Sequence, residues 1–226
     1  MPTIRTTLTL LWAVSACALV SQARAAETTA PELALALQRK YDAIREFSAD
    51  FIHTYEGGVL RKRLTERGRL LIKKPGKMRW DYTAPERKQF VSDGTKLYAY
   101  IPQDKQVIVS SVGRDDDATT PALFLAGKGN LTRDFVPSLA APPAGFPSDT
   151  LALKLVPKAR QREYDWLILA VDPKTLGLRG LVTSDAQGGI STFSFANLKE
   201  NPGLSDKEFT FKIPRGVDVV SDASRQ

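Results

Sequence analysis

Cysteine and histidine are almost missing from this chain of 226 residues: there is one of each, Cys17 and His53. Zinc sites built on cysteine and disulfide frameworks both need several such residues, so both are excluded. A nucleophile activated by imidazole would have to use His53. That residue is in strand phase with Phe51 and Tyr55, which suits a core-facing or rim histidine, and no Ser/His/Asp set can be assembled from the sequence. Carboxylate pairs such as Asp81 with Glu86 or Asp165 with Asp172 are separated by turns, and such spacing gives no reason for them to converge on a substrate. The acidic run Asp115-Asp116-Asp117 lacks the glycine and the distal glutamate of a calcium loop and reads as a solvated turn. No catalytic residue, metal or cofactor is expected. An excess of acid is also missing: 32 Lys+Arg against 25 Asp+Glu give a formal charge of +7. The basic groups, Arg61-Lys62-Arg63 and Lys73-Lys74 among them, are interleaved with acids. This pattern fits a solvated face or attraction to anionic membrane surfaces, and no nucleic-acid partner is expected.

A long apolar run is present only at the start. Arg5 is followed by a nearly continuous apolar stretch from Leu8 to Val20 and then by Ala23-Arg24-Ala25, the order of a secretory signal peptide with cleavage after Ala25. The stretch is shorter than the roughly 20 residues of a membrane span. Residues 1–25 are therefore read as a signal peptide, residues 26–226 as a single exported domain, and the compartment as the periplasm. Val14-Ser15-Ala16-Cys17 offers a competing lipobox reading, with Cys17 lipidated. Cleavage after Ala25 is preferred because the apolar segment continues through Ala18-Leu19-Val20. With 42% hydrophobic and 25% charged residues the remainder has the composition of a globular domain, and burial must stabilise it where cross-links are lacking.

The domain starts as a helix and continues as strands. Thr29-Ala30-Pro31-Glu32 supplies a cap, a first-turn proline and an early acid, and Leu33, Leu37, Tyr41, Ile44 and Phe47 follow at helical spacing. That stripe serves either as ordinary core or as a movable cover. From Ser48 the period becomes two. A hairpin is expected around Gly57-Gly58, then a strand through Leu70 and Ile72 to the Lys73-Lys74-Pro75-Gly76 turn. Met78, Trp80 and Tyr82 then alternate with Lys77, Arg79, Asp81 and Thr83. Further strands are expected at 88–92, 96–101, 106–111, 151–156, 164–171, 178–184, 190–197 and 208–213. A short apolar helix is expected over Thr120–Gly127, and the Pro/Ala/Gly-rich stretch 137–148 is read as a surface loop.

About ten to eleven antiparallel strands with one apolar face form a strongly curved sheet, and that face must be covered. The expected fold is mainly β with an α lid: an incomplete, unclosed antiparallel β-barrel under short helices. Whether its interior is filled with side chains or left as a ligand cavity is open at this level.

Several runs together carry a family resemblance. They are Leu71-Ile72-Lys73-Lys74-Pro75-Gly76-Lys77-Met78-Arg79-Trp80-Asp81-Tyr82, Pro85, Val91-Ser92-Asp93-Gly94, Leu97-Tyr98 and Tyr100-Ile101-Pro102. Thr120-Pro121, Leu155-Val156-Pro157-Lys158 and Phe209-Thr210-Phe211-Lys212-Ile213-Pro214-Arg215-Gly216-Val217-Asp218-Val219 add to them. Over roughly Pro31 to Val220 the chain resembles the periplasmic outer-membrane lipoprotein carriers of the LolA family. The resemblance implies a monomeric, non-enzymatic chaperone that shields lipoprotein acyl chains in a hydrophobic cavity. It would receive them from an inner-membrane lipoprotein-releasing ABC transporter and pass them to an outer-membrane lipoprotein acceptor.

By position, the cavity would be lined by Leu37, Tyr41, Phe51, Leu70, Ile72, Met78, Trp80, Leu97, Leu123, Phe124 and Leu125. The family's lid-tethering arginine falls on Lys74, which would reach the carbonyls of Leu125 and Ala126 with a compact ammonium in place of a planar fork. The alternative is a sensor or binding module of the same fold that recognises a lipoprotein or hydrophobic metabolite without ferrying it.

Overall fold

A computed structural model describes residues 28–57, 63–112, 125–127, 129–161 and 163–221. Helix α1 spans Ala30–Ala43. The Thr29 hydroxyl accepts from the Glu32 N–H, and the Glu32 carboxylate accepts from the Thr29 N–H at 2.9 Å, so two orphan donors of the first turn are satisfied reciprocally. The helix ends at Ala43, earlier than its apolar stripe suggests. The Asn201 side chain takes the Arg45 N–H at 2.9 Å and draws the chain into an extended path. Phe47 consequently belongs to the first strand and is buried there.

The strands are β1 (Glu46–Glu56), β2 (Arg63–Lys73), β3 (Lys77–Ala84), β4 (Lys88–Asp93), β5 (Lys96–Ile101) and β6 (Gln106–Ser111). After a one-turn helix α2 (Leu131–Asp134) come β7 (Phe135–Ala140), β8 (Leu151–Pro157), β9 (Trp166–Val171), β10 (Leu178–Ser184) and β11 (Ile190–Glu200). A 3-10 turn at Asp206–Phe209 leads to β12 (Asp218–Ser221). All twelve strands of the described residues form one sheet in the order β12-β6-β5-β4-β3-β2-β1-β11-β10-β9-β8-β7. The terminal strands β12 and β7 do not pair with each other, so the barrel is unclosed, as expected.

Three expectations need correction. The stretch 137–148 does not start as a loop, because Pro137 is inside β7. An edge strand accommodates it: β7 pairs only with β8, so a missing N–H breaks no second ladder. Residues 208–213 are not a strand of the sheet. The segment from Asn201 to Phe211 instead straps the outer face, where Lys73 and Lys77 pair with Asp206 at 2.8 and 3.0 Å and Arg79 Nη1 donates to the Glu208 carbonyl at 3.1 Å. The charged face of β3 therefore carries a strap, although its alternation reads as solvated. Finally, β12 returns to lie parallel to β6. Parallel pairing requires a long connection and leaves no hairpin signal in the sequence.

The sheet order also departs from chain order: β1 pairs with both β2 and β11 and joins two halves of the sheet. Gly68 sits opposite Phe51 in this central region, and a Cβ there would lie 2.7 Å from Phe51 Cζ. Its absence allows the Phe51 ring to lie against the strand. One core results, joining Leu33 and Leu37 of α1 to Phe51, Leu70, Ile72, Met78 and Trp80 on the concave face.

Candidate functional site: apolar spaces inside the half-barrel

Helix α1 covers one end of the concave face and encloses a narrow apolar space of about 50 Å³. Leu37, Tyr41 and Ile44 line it from above, Leu125 and Leu131 from the side, and Leu169, Val171, Leu178 and Leu198 from the sheet. The volume admits a water molecule or two and no acyl chain. Among the described residues α1 is docked on the sheet, with Leu33 and Leu37 in the core.

Local contacts hold α1 there. Tyr41 donates its hydroxyl proton to the Leu125 carbonyl. Lys40 at the end of α1 pairs with Glu200 of β11 at 2.9 Å. Gly76, in the β2–β3 turn, donates its N–H to the Ala126 carbonyl at 2.9 Å. Lys74 also belongs to this cluster, with a different partner from the one expected: its ammonium donates to the Tyr41 carbonyl and lies 3.2 Å from the centroid of the Tyr41 ring. The two expected acceptors, Leu125 and Ala126, are bound by Tyr41 and Gly76. The lysine stem explains the detour, because it lies flat against Gly127, where a Cβ would come within 2.8 Å of Lys74 Cγ. Gly127 adopts φ +87°, which also favours glycine. Burial lowers the Lys74 pKa to about 8, and the charge of Asp42 opposes the shift. Burial also raises the Tyr41 pKa, which keeps the phenol protonated as a donor.

A second, larger space of about 330 Å³ lies between β3–β5 and β10–β11 and shares no lining residue with the first. Met78, Trp80, Tyr82, Phe90, Leu97 and Phe193 supply much of its apolar wall, with Glu163, Asp185 and Ser191 among its polar lining. Of the sequence-derived cavity residues, Leu37, Tyr41 and Leu125 line the first space, and Met78, Trp80 and Leu97 line the second. Phe51, Leu70 and Ile72 are fully packed core that lines neither. Leu123 and Phe124 lie outside the described residues, as do the signal segment and Asp115–Asp117. Sequence reasoning missed Leu169, Val171, Leu178 and Leu198. The alternation of Leu167, Leu169 and Val171 in β9 was the available signal.

His53 lies at the rim of the second space in a chain of polar groups. Its Nδ1 is 3.0 Å from Glu66 Oε2, its Nε2 is 3.2 Å from Ser191 Oγ, and Lys88 pairs with Glu66 at 2.6 Å. Hydroxyl, imidazole and carboxylate in line have the spacing of a nucleophilic triad. However, Ser191 lies in a strand paired on both sides, with β1 and β10, so its backbone is held within the ladder. The imidazole stacks on Phe193 at 4.1 Å with an interplanar angle of 3°. Burial lowers its pKa and outweighs the opposing Glu66 contacts.

The fold and its interior define an open, helix-lidded β-barrel with apolar spaces inside. Residues 42–212 match the family model described as "Outer membrane lipoprotein carrier protein LolA". The chain belongs to that family. It is 33% identical over 181 residues to an outer-membrane lipoprotein carrier protein of Methylococcus capsulatus, covering 80% of this chain and 84% of the relative. It is 31% identical over 206 residues to one from Chromobacterium violaceum, covering 90% and 96%. Among solved structures it is similar to a LolA superfamily protein of Nitrosomonas europaea at 18% identity and a TM-score of 0.45, covering 79% of this chain and 97% of that one. Carriers of this family are periplasmic, and carriage of lipoproteins is their general role.

Proposed function

We propose that this protein takes lipoprotein acyl chains into the space beneath α1, shields them across the periplasm, and moves them from an inner-membrane ABC-transporter release complex to an outer-membrane acceptor. The leader would be removed after Ala25, and the carrier would act as a monomer. The observation that carries this reading is the clasped apolar space itself. Its walls are hydrophobic on helix and sheet alike, while its lid is secured by a few polar contacts. Each methylene withdrawn from water contributes roughly 0.8 kcal/mol, so a chain of a dozen or more carbons releases more free energy than these contacts hold. Cargo opens the lid, and loss of cargo lets it close.

The test is a titration of the protein beginning at Ala26 with a triacylated lipopeptide and with the same peptide lacking its chains. Micromolar or tighter binding only with the chains is expected, followed by transfer to an outer-membrane acceptor. Equal binding of both peptides would overturn the reading. Leu125→Asp should weaken binding of the acylated peptide and leave the β-rich circular dichroism unchanged.

A further inference from the structure

The outer, convex face of the sheet is covered in two places. The strap from Asn201 to Phe211 crosses it where Glu46, Lys73 and Lys77 lie: Gly203 and Leu204 donate their N–H groups to Glu46, and Asp206 pairs with both lysines. The loop after β7 lays Phe146 over Gly180 of β10. Outside these covers, β2, β1 and β11 present a bare face on which Ile52 is 51% exposed. Arg67, Ile52 and Ser194 stand in one row of it, Arg69, Asp50 and Ala196 in a second, and Thr65, Thr54 and Thr192 in a third.

Charge on this face is unbalanced. Arg67, Arg69 and Lys199 are exposed, and among the described residues their side chains have no hydrogen-bond or ion-pair partner. Asp50 stands directly opposite Arg69, yet it is held by the Asn197 side chain at 2.7 Å. Asn197 reaches it from a left-handed backbone position, φ +52°, near the register shift between β1 and β11. On the other side of Arg69, Asp81 of β3 is engaged by Arg79 and Gln89 at 2.7 and 2.8 Å. Both acids beside Arg69 are therefore turned to other partners. Asp50, Arg69, Asn197 and Lys199 line a depression of about 470 Å³.

We propose that this bare face is a docking surface for an acidic, extended segment of a partner protein. Arg67 and Arg69 alternate on β2, so their charges repeat at about 6.8 Å, the spacing of alternate side chains in any extended chain. A segment with an acid at every second position meets both arginines, and Lys199 takes a third carboxylate across the sheet. The short side chains of Thr54, Thr65 and Thr192 keep the floor beside Arg67 low. The strap at one end and the Phe146 loop alongside β11 form a second layer, so the floor is recessed, which suits one polypeptide segment and not a flat bilayer. The surface is on the side of the sheet away from the interior and does not depend on what the interior carries.

The probe is an acetylated decapeptide of alternating Glu and Thr, titrated by NMR into the isotope-labelled protein beginning at Ala26 beside the same peptide with Gln in place of Glu. The Glu peptide should shift the Nε–Hε signals of Arg67 and Arg69 saturably, and less so at high salt. The Gln peptide should leave them in place. The double variant Arg67→Gln, Arg69→Gln should weaken the Glu peptide about threefold to tenfold. Lys105→Gln with Lys174→Gln removes the same charge from two exposed turns and should weaken it by less than about twofold. Equal losses in the two double variants would mean general attraction to a basic protein and would overturn the docking surface. Equal binding of the Glu and Gln peptides, or unmoved signals of Arg67 and Arg69, would overturn it too. Vesicles of phosphatidylglycerol and phosphatidylcholine give the contrast: if they shift the two arginines and the peptide does not, the face is a membrane contact and the proposal fails.

Discussion

The phenol of Tyr41 and the ammonium of Lys74 form one latch: Tyr41 holds the Leu125 carbonyl with its hydroxyl, while Lys74 holds Tyr41 through both its carbonyl and its ring face. The lysine acts on the lid through the tyrosine. Substitutions at the two positions therefore have separable effects.

Tyr41→Phe keeps the ring and its contact with Lys74 and removes the hydroxyl that donates to Leu125 and is also hydrogen-bonded by the Gly127 backbone. We expect a loss of about 1 kcal/mol, and a larger one if the carbonyl stays buried and unpaired. Thermal unfolding gives the stability, and stopped-flow uptake of a fluorescent lipopeptide should be faster in the variant. An unchanged rate would mean that this bond does not limit opening.

Lys74 carries a pH signature. Its pKa is about 8 in the folded protein and close to the ordinary lysine value when unfolded. Between those values the unfolded chain binds more protons, so stability should rise as pH rises from about 8 toward 10. Lys74→Met should lack this rise. Urea unfolding of both proteins across that range measures the difference, and parallel curves would refute the assignment.

His53 gives a second signature, on the acidic side. Its folded pKa is below the unfolded value, so it contributes stability that is present above about pH 6.5 and is lost as pH falls below that value. His53→Gln should show a shallower decline on acidification. Proton NMR of the ring in the wild type would show directly whether the titration is shifted down.

Gly68→Ala places a methyl group against the Asp81 backbone and the Phe51 ring. Overpacking of this kind destabilises by about 1–3 kcal/mol. A melting temperature unchanged from wild type would show that the central strands shift without strain.

Much of the sheet was legible because its strands announce themselves by a period of two and are punctuated by turn residues, as in Met78, Trp80 and Tyr82 followed by the turn at Ser92-Asp93-Gly94. The start of α1 was legible from Thr29 and Glu32. Its end was not, because Asn201, far away in sequence, sets it. The strap over β3 and the parallel β12 were hidden for the same reason: ion pairs and long returns have no local period. At the site, the apolar character of Leu37, Tyr41 and Leu125 could be read, but their division from Met78, Trp80 and Leu97 into two spaces could not. That division depends on side chains from β1, β2 and β11 that meet in the middle. The partner of Lys74 escaped as well, because a flexible ammonium selects its acceptor by three-dimensional reach.

The strap from Asn201 to Phe211 covers only one half of the sheet. Behind β3 and β4 the wall is double, with Phe209 of the strap buried and Phe211 stacked on Tyr98 of β5 at 5.4 Å. Behind β7 and β8 the paired Val136 and Val156 stay on the surface at 54 and 42% exposure, while Phe146 lies over Gly180 of β10. The two halves that meet at β1 are therefore backed differently, by ion pairs and aromatic stacking on one side and by a short loop carrying Phe146 on the other.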